Sequence, residues 1–334
     1  APRRQPSTRL TINSRRRVEF KDLPQQCIIP VSDTVWALQR LAAYIRSTFD
    51  IPVVAITGSN GKTTTKEMTT AVLEESFTVA STPGNYNNLL GLPLSICRWE
   101  KDIEAAVVEM GTNHFGEIKK LCQIAKPTHG LITNIGKGHL EFFKNLEGVA
   151  RAKVELLENM KKDGQALLNG DDPLLVSRRD ILEKTLTYGF SAECDIRADY
   201  EGVDENGYPG MSVAGTVITI PLAGRHNLMN GLAAAAVGRV FGISWTCIKQ
   251  RLEGFTGMEN RGKMKKINGF TVYNDSYNAN PSSVYQSLLT VNDMKRFRRR
   301  IAILGDMLEL GETSRVEHER VGRETARLGF DALF

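Results

Sequence analysis

Five apolar or β-branched residues, Val53-Val54-Ala55-Ile56-Thr57, run without a spacer into Gly58-Ser59-Asn60-Gly61-Lys62-Thr63-Thr64, and a helical stretch begins at about Lys62. A strand with no polar alternation is buried on both faces. One that passes through a glycine turn straight into a helix begins a parallel crossover. The order repeats: strand Ala105–Glu109 with a helix after His114, strand 130–134 with a helix over 146–160, then strand 166–169. This alternation predicts an α/β fold with a mainly parallel sheet covered on both sides.

From 186 to 220 the texture changes to short alternating strands and glycine turns, expected to form an antiparallel edge. Helices are predicted over 227–241 and 245–253, and 254–262 reads as a linker. A second, shorter α/β unit follows, with strand 270–275, a helix from Ser282, strand 301–306 and a helix from Ser314. Two strands are fewer than a doubly wound sheet needs, so the expectation is a partial Rossmann-like domain. Upstream, 27–31 reads as a strand. Asp33 is expected to cap a helix whose apolar face holds Val35, Trp36, Leu38, Leu41, Ala42 and Ile45.

Composition narrows the function. The 334 residues carry a formal charge of +5, and six arginines (Arg3, Arg4, Arg9, Arg15, Arg16, Arg17) lie in an acid-free stretch over 1–17. Without them the body is close to neutral, which argues against a broad nucleic-acid-binding face. Five dispersed cysteines without a CxxC pair point to reduced thiols, not a zinc ribbon or disulfide scaffold. No apolar run is long enough to span a bilayer. The expected setting is the cytoplasm, or an organelle stroma if the arginine-rich start is a transit segment. Lys295, Arg296, Arg298, Arg299 and Arg300 read as a solvated face.

The turn 57–64 is the strongest chemical signal. Its glycines let backbone N–H groups face phosphate oxygens, and the helix N-terminus adds partial positive charge. Lys62 is placed to reach the β- and γ-phosphates and Thr63 to meet Mg²⁺, although Ile56 stands where a common Walker A has Gly. Glu109 ends one parallel strand and His139 follows another. Both are therefore expected at the carboxyl edge where such sheets bind ligands, completing a magnesium sphere.

Together these segments resemble the Mur ligases, from about Val18 to Phe334. The points of contact are 57–64; Thr82-Pro83-Gly84-Asn85 with Asn87 and Asn88; Glu109-Met110-Gly111; and Thr133-Asn134-Ile135-Gly136 through His139. They continue with Arg151-Ala152-Lys153, His226-Asn227 with Asn230, Arg261-Gly262, Asp275 to Pro281, and Leu304-Gly305-Asp306-Met307. The run Tyr277-Asn278-Ala279-Asn280-Pro281 is similar to the branch that adds D-alanyl-D-alanine.

The resemblance implies a basic tip and remnant of a UDP-substrate domain over 1–50, a central P-loop ATP-binding domain over 51–260, and a partial C-terminal domain over 261–334. It implies ATP and Mg²⁺ as cofactors, with Gly58, Ser59, Asn60, Gly61, Lys62, Thr63, Thr64, Asn227, Asn230, Arg261 and Asp275 around the nucleotide. Thr63, Glu109, His139 and a carbamylated Lys153 would serve the metals. Lys62, Glu109, His139 and Lys153 would carry catalysis, and Asn87, Asn88, Asn278 and Asn280 would meet substrate. The implied reaction joins D-alanyl-D-alanine to a UDP-N-acetylmuramoyl tripeptide through an acyl phosphate. The implied partners are small molecules alone, with the chain a monomer. Because both substrate-holding ends look short, the expectation is a chain that binds Mg-ATP and ligates poorly. The rivals are a folylpolyglutamate- or cyanophycin-type sister ligase and a non-catalytic ATP-binding homologue.

Overall fold

The computed structural model describes residues 11–12, 16–17, 29–294 and 296–334. The arginine-rich stretch apart from its two short strands, the segment 18–28 and Lys295 lie outside the described residues. Strands β1 (Thr11–Ile12) and β2 (Arg16–Arg17) form an antiparallel pair. Residues 29–31, expected to continue a strand from Cys27, are coil.

The next elements are α1 (Thr34–Ser47), β3 (Val53–Thr57), α2 (Lys62–Leu73), β4 (Val79–Ser81), α3 (Gly91–Ile96), β5 (Ala105–Glu109), α4 (Glu117–Ala125) and β6 (His129–Ile132). There follow α5 (Leu140–Phe143), α6 (Leu146–Glu158), β7 (Gln165–Asn169), α7 (Pro173–Val176), β8 (Lys184–Gly189), β9 (Ile196–Val203), β10 (Pro209–Val213), β11 (Thr216–Thr219), α8 (His226–Val240) and α9 (Trp245–Glu253). The last part holds β12 (Lys263–Ile267), β13 (Phe270–Asn274), α10 (Pro281–Asp293), β14 (Ile301–Ala302), α11 (Ser314–Arg327) and β15 (Ala332–Leu333).

Nine strands form one sheet in the order β11-β10-β9-β8-β7-β6-β3-β5-β4. Pairs from β9 through to β4 are parallel, and β9, β10 and β11 turn back antiparallel. The fold is therefore α/β with a mixed, mainly parallel sheet, as the strand texture predicts. The antiparallel segment begins later than its sequence suggests, because β8 and β9 still pair in parallel.

Period-two alternation along β3 explains its unbroken apolar run. Val54 and Ile56 pack under α2 and α8 with Met68, Val72 and Leu232, while Val53 and Ala55 pack on the other face with Ile118, Leu121 and Leu157. Each such side chain contributes about 1.5–3 kcal/mol when fully buried. Small residues on α8 let it approach closely: a Cβ on Gly238 would come within 2.6 Å of Val72.

Asp33 does cap α1, accepting N–H bonds from Val35 and Trp36 at 2.8 and 3.0 Å. The expected apolar face holds only in part: Ala42 is buried and Ile45 packs against the core, whereas Val35, Trp36 and Leu41 are exposed. The helix is also anchored by buried Arg46, whose guanidinium donates to the carbonyls of Ala125 and Phe49, both at 2.7 Å. At the opposite sheet edge, α9 covers β11. Lys249 donates to the Val217 carbonyl at 2.5 Å, and Glu253 accepts the Thr219 N–H at 3.1 Å.

Beyond Gly262 the structure differs from its sequence reading in three places. Strand β12, unread in the sequence, pairs with β13 in an antiparallel hairpin. The strand expected over 301–306 shrinks to Ile301–Ala302, paired in parallel with β15. Arg300 is not simply solvated: it is half-buried and donates to the Gly329 carbonyl, just past the end of α11, at 3.2 Å. A small cluster of Val284, Leu288, Met307, Leu310 and Val321 holds α10 and α11 together. Among the described residues no helix is long and apolar enough to cross a membrane.

Candidate active site

Strand β3 lies between β5 and β6, so the carboxyl ends of these three strands open on one crevice. That crevice is a cavity of about 1000 Å³. Between β3 and α2, Gly58 (φ 145) and Gly61 (φ 79) have backbones that side-chain-bearing residues rarely adopt. They are also tightly packed, since a Cβ on Gly58 would meet Thr133 Oγ1 at 2.0 Å and one on Gly61 would meet Asn230 Oδ1 at 2.2 Å.

The segment after β6 clamps this turn. Ser59 N–H donates to the Asn134 carbonyl, and Asn60 N–H to Asn134 Oδ1, both at 3.0 Å. Thr133 Oγ1 donates to the Asn60 carbonyl at 2.6 Å. Helix α2 has no side-chain cap among the described residues, so the amides of its first turn, which lines the cavity, lack a side-chain acceptor. Lys62 folds back, its Nζ donating to the carbonyls of Gly58 and Ser59 at 2.9 and 3.2 Å. Burial lowers its pKa, Glu109 opposes that, and Arg261 adds to it.

Glu109 is 1% exposed at the end of β5. Its Oε1 accepts from Asn87 Nδ2 at 2.7 Å, whereas Oε2 is buried with no hydrogen-bond partner among the described residues. His139 caps α5 in a left-handed conformation, φ 55, and its Nδ1 pairs with Glu309. Burial lowers its pKa against the raising effect of Glu309.

The cavity brings together Ser59 to Thr64, Asn87, Asn88, Glu109, His139, Asn227, Asn230, Arg261, Asp275, Asn278 and Asn280. Gly58 and Lys153 are the two candidates outside its lining. Lys153 is 1% exposed on α6, and among the described residues no carboxylate pairs with it. Burial pushes its pKa well below the ordinary lysine value, helped by the charge of Lys62 and opposed by Glu117 and Glu155.

Several candidates also hold the fold together. Asn88 Oδ1 accepts the N–H groups of Leu90 and Gly91, at 3.0 and 2.8 Å, at the start of α3. Asn227 and Asn230 are bonded to each other at 3.0 Å, and Asn230 accepts from Thr65 at 3.3 Å, so the pair braces α2 against α8. Asp275 accepts from Ser287 at 2.5 Å, and the Arg261 guanidinium lies 3.7 Å from the centre of the Tyr277 ring. Sequence reasoning missed the far wall, where Arg225 stacks over Tyr200 at 3.9 Å. The only signal there was the adjacency of Arg225 to His226-Asn227. Half-buried His226, with its pKa lowered to about 4 by desolvation, lines the same wall.

A phosphate-sized turn, a buried carboxylate and an imidazole at the switch point of a parallel sheet define a nucleotide-dependent enzyme class. The chain belongs to the Mur ligase family: residues 56–238 match the Mur ligase middle domain and 259–334 the Mur ligase, glutamate ligase domain. It is 36% identical, over 92% of its length and 67% of the relative's, to UDP-N-acetylmuramoyl-tripeptide–D-alanyl-D-alanine ligase of Bacillus subtilis (strain 168). The Escherichia coli (strain K12) enzyme of the same name is 34% identical, over 93% of this chain and 70% of its own. Among solved structures, MurF from Acinetobacter baumannii superposes with a TM-score of 0.86 at 31% identity, over 91% of this chain and 68% of that one. The chain thus spans about two thirds of the length of these relatives.

Proposed function

We propose that this chain carries the ATP-dependent ligation of D-alanyl-D-alanine to a UDP-N-acetylmuramoyl tripeptide, a step of peptidoglycan precursor synthesis, through an acyl phosphate. The observation that carries this is the convergence on one cavity of the 57–64 turn, Glu109 and His139 with Arg261, Asp275, Asn278 and Asn280 from the C-terminal part. We read 51–260 as a P-loop mononucleotide-binding domain, 261–334 as part of a Rossmann-like domain, and the ligase as a monomer.

The residues present fit ATP and magnesium. Mg²⁺ takes oxygen ligands and keeps several waters, so it needs only one or two protein oxygens. Glu109 Oε2 is a buried carboxylate oxygen without a hydrogen-bond partner among the described residues, and Thr63, at the start of α2, lines the same cavity. Bound Mg-ATP would supply the phosphoryl group that activates the tripeptide carboxylate and neutralise charge in the transfer.

The chain's own part is positioning. Lys62 would exchange the Gly58 and Ser59 carbonyls for phosphate oxygens, and the first-turn amides of α2 would add donors to the same group. Arg261 and Asp275 would serve the nucleotide, while Asn87, Asn88, Asn278 and Asn280 would serve the peptide and dipeptide, all from the lining of the one cavity. Lys153, with its amine favoured neutral by burial, is suited to carbamylation, which would turn it into an oxygen ligand for a metal.

The test is phosphate release with ATP, Mg²⁺, UDP-N-acetylmuramoyl tripeptide and D-alanyl-D-alanine. Release that requires both acceptor and dipeptide supports this reading. Release with a folate or other amino acid instead would assign a sister activity, and ATP binding without turnover would leave a nucleotide-binding module.

A further inference from the structure

Glu309 lies in the coil between β14 and α11 and reaches the central unit twice. Its carbonyl accepts the N–H of Glu141 at 3.1 Å, and its carboxylate Oε2 pairs with Nδ1 of His139. Both His139 (φ 55) and Glu309 (φ 59) are in the left-handed region that residues other than glycine adopt sparingly. The neighbouring contacts hold the two backbones together. Lys137 Nζ meets Glu317 Oε1 at 2.5 Å, and Gly311 passes so close that a Cβ on it would come within 3.2 Å of Glu141 Cα.

An ionised carboxylate only accepts hydrogen bonds, so the Nδ1 that faces Glu309 carries a hydrogen, and in the neutral ring Nε2 keeps its lone pair. The His139 ring lines the cavity, and Nε2 makes no hydrogen bond among the described residues. A histidine that binds a metal through one nitrogen is commonly fixed by a carboxylate on the other.

We infer that Glu309 is a positioning residue for His139: it holds the imidazole in the Nδ1-protonated tautomer, with Nε2 free on the cavity side. The C-terminal part thereby sets the orientation of a group that the central unit carries. The metal that Nε2 would meet rests on the function proposed above, but the tautomer does not. Sequence reasoning gave Glu309 no role, because 170 positions separate it from His139.

The test is long-range ¹H–¹⁵N NMR of the His139 ring in the metal-free full chain, assigned with His139→Gln, together with Mn²⁺ affinity by electron paramagnetic resonance. The wild type is expected to show Nδ1–H alone. In Glu309→Ala the ring should become a tautomer mixture and Mn²⁺ affinity should fall about 10–100-fold. Glu309→Gln, which keeps an acceptor oxygen, should restore most of both. In ligation, Glu309→Ala should lower kcat with the KM for ATP little changed. A wild-type ring protonated at Nε2, or a tautomer unchanged in Glu309→Ala, overturns the inference. Thermal unfolding of both variants guards against misfolding, and the half-exposed Glu309 side chain makes a folded Glu309→Ala the expected outcome. Failure of the wild type to bind Mn²⁺ would refute the metal site itself, and the metal-free tautomer separates that result from failure of the Glu309 contact.

Discussion

Asn280 Nδ2 donates to Asn60 Oδ1 at 2.7 Å, joining the N-cap of α10 to the glycine turn in front of α2. The same side chain accepts the Ser283 N–H through Oδ1 at 2.9 Å, closing a capping box. One residue therefore starts a helix and touches the phosphate-sized turn.

Two substitutions separate these roles. Serine caps a helix about as well as asparagine, whereas alanine loses about 1 kcal/mol of cap stability. Neither reaches Asn60. Asn280→Ala is expected to melt earlier than Asn280→Ser, with both reduced alike in ATP-dependent turnover. Full turnover in Asn280→Ser would show that the contact to Asn60 is idle.

Lys62→Ala should leave the fold intact, since the side chain bonds only to its own turn. ATP affinity should fall more than about tenfold, or about 1.4 kcal/mol, in a calorimetric titration. Affinity preserved within about twofold would remove the turn from the nucleotide site.

Lys153 predicts a pH dependence of stability. Its folded pKa is lowered, so between that value and the ordinary one the unfolded chain binds more protons and stability rises with pH. Lys153→Met should flatten this slope in urea unfolding without bicarbonate, being more stable than wild type near about pH 7 and converging with it above about pH 10. It should also lose ligation, with partial recovery from a small added carboxylate. An unchanged slope would mean that the amine is solvated.

Lys66 is fully buried on α2, its Nζ donating to the Thr82 carbonyl at 2.5 Å and meeting Glu67 Oε1 at 2.6 Å. Lys66→Met keeps the volume but leaves that carbonyl unpaired, and should cost about 1–3 kcal/mol in denaturant unfolding. A neutral result would mean that the ammonium contributes nothing net.

The parallel core was legible because strands buried on both faces write themselves as unbroken apolar runs, as in Val53–Thr57 and Ala105–Glu109. Strand β4, with three half-buried residues, and β12, which carries Lys263, Lys265 and Lys266, leave no such run and went unread. Residues at strand ends were easily tied to the crevice, since topology alone brings Glu109 and the glycine turn together. Side-chain destinations were not. Nothing in the spacing tells that Lys153 stands outside the lining, or that Arg46 helps to anchor a helix whose Trp36 and Leu41 are exposed.

The α9 side chains on β11 also bear on what the protein does at high concentration. In β11 the Val217 carbonyl and the Thr219 N–H are among the groups that an incoming strand would need, and Lys249 and Glu253 already hold both. These two residues pair with each other at 3.1 Å, so an approaching strand must break an ion pair as well as displace two hydrogen bonds. An open sheet edge is a template for fibre growth. Here a single helix turn occupies part of that template.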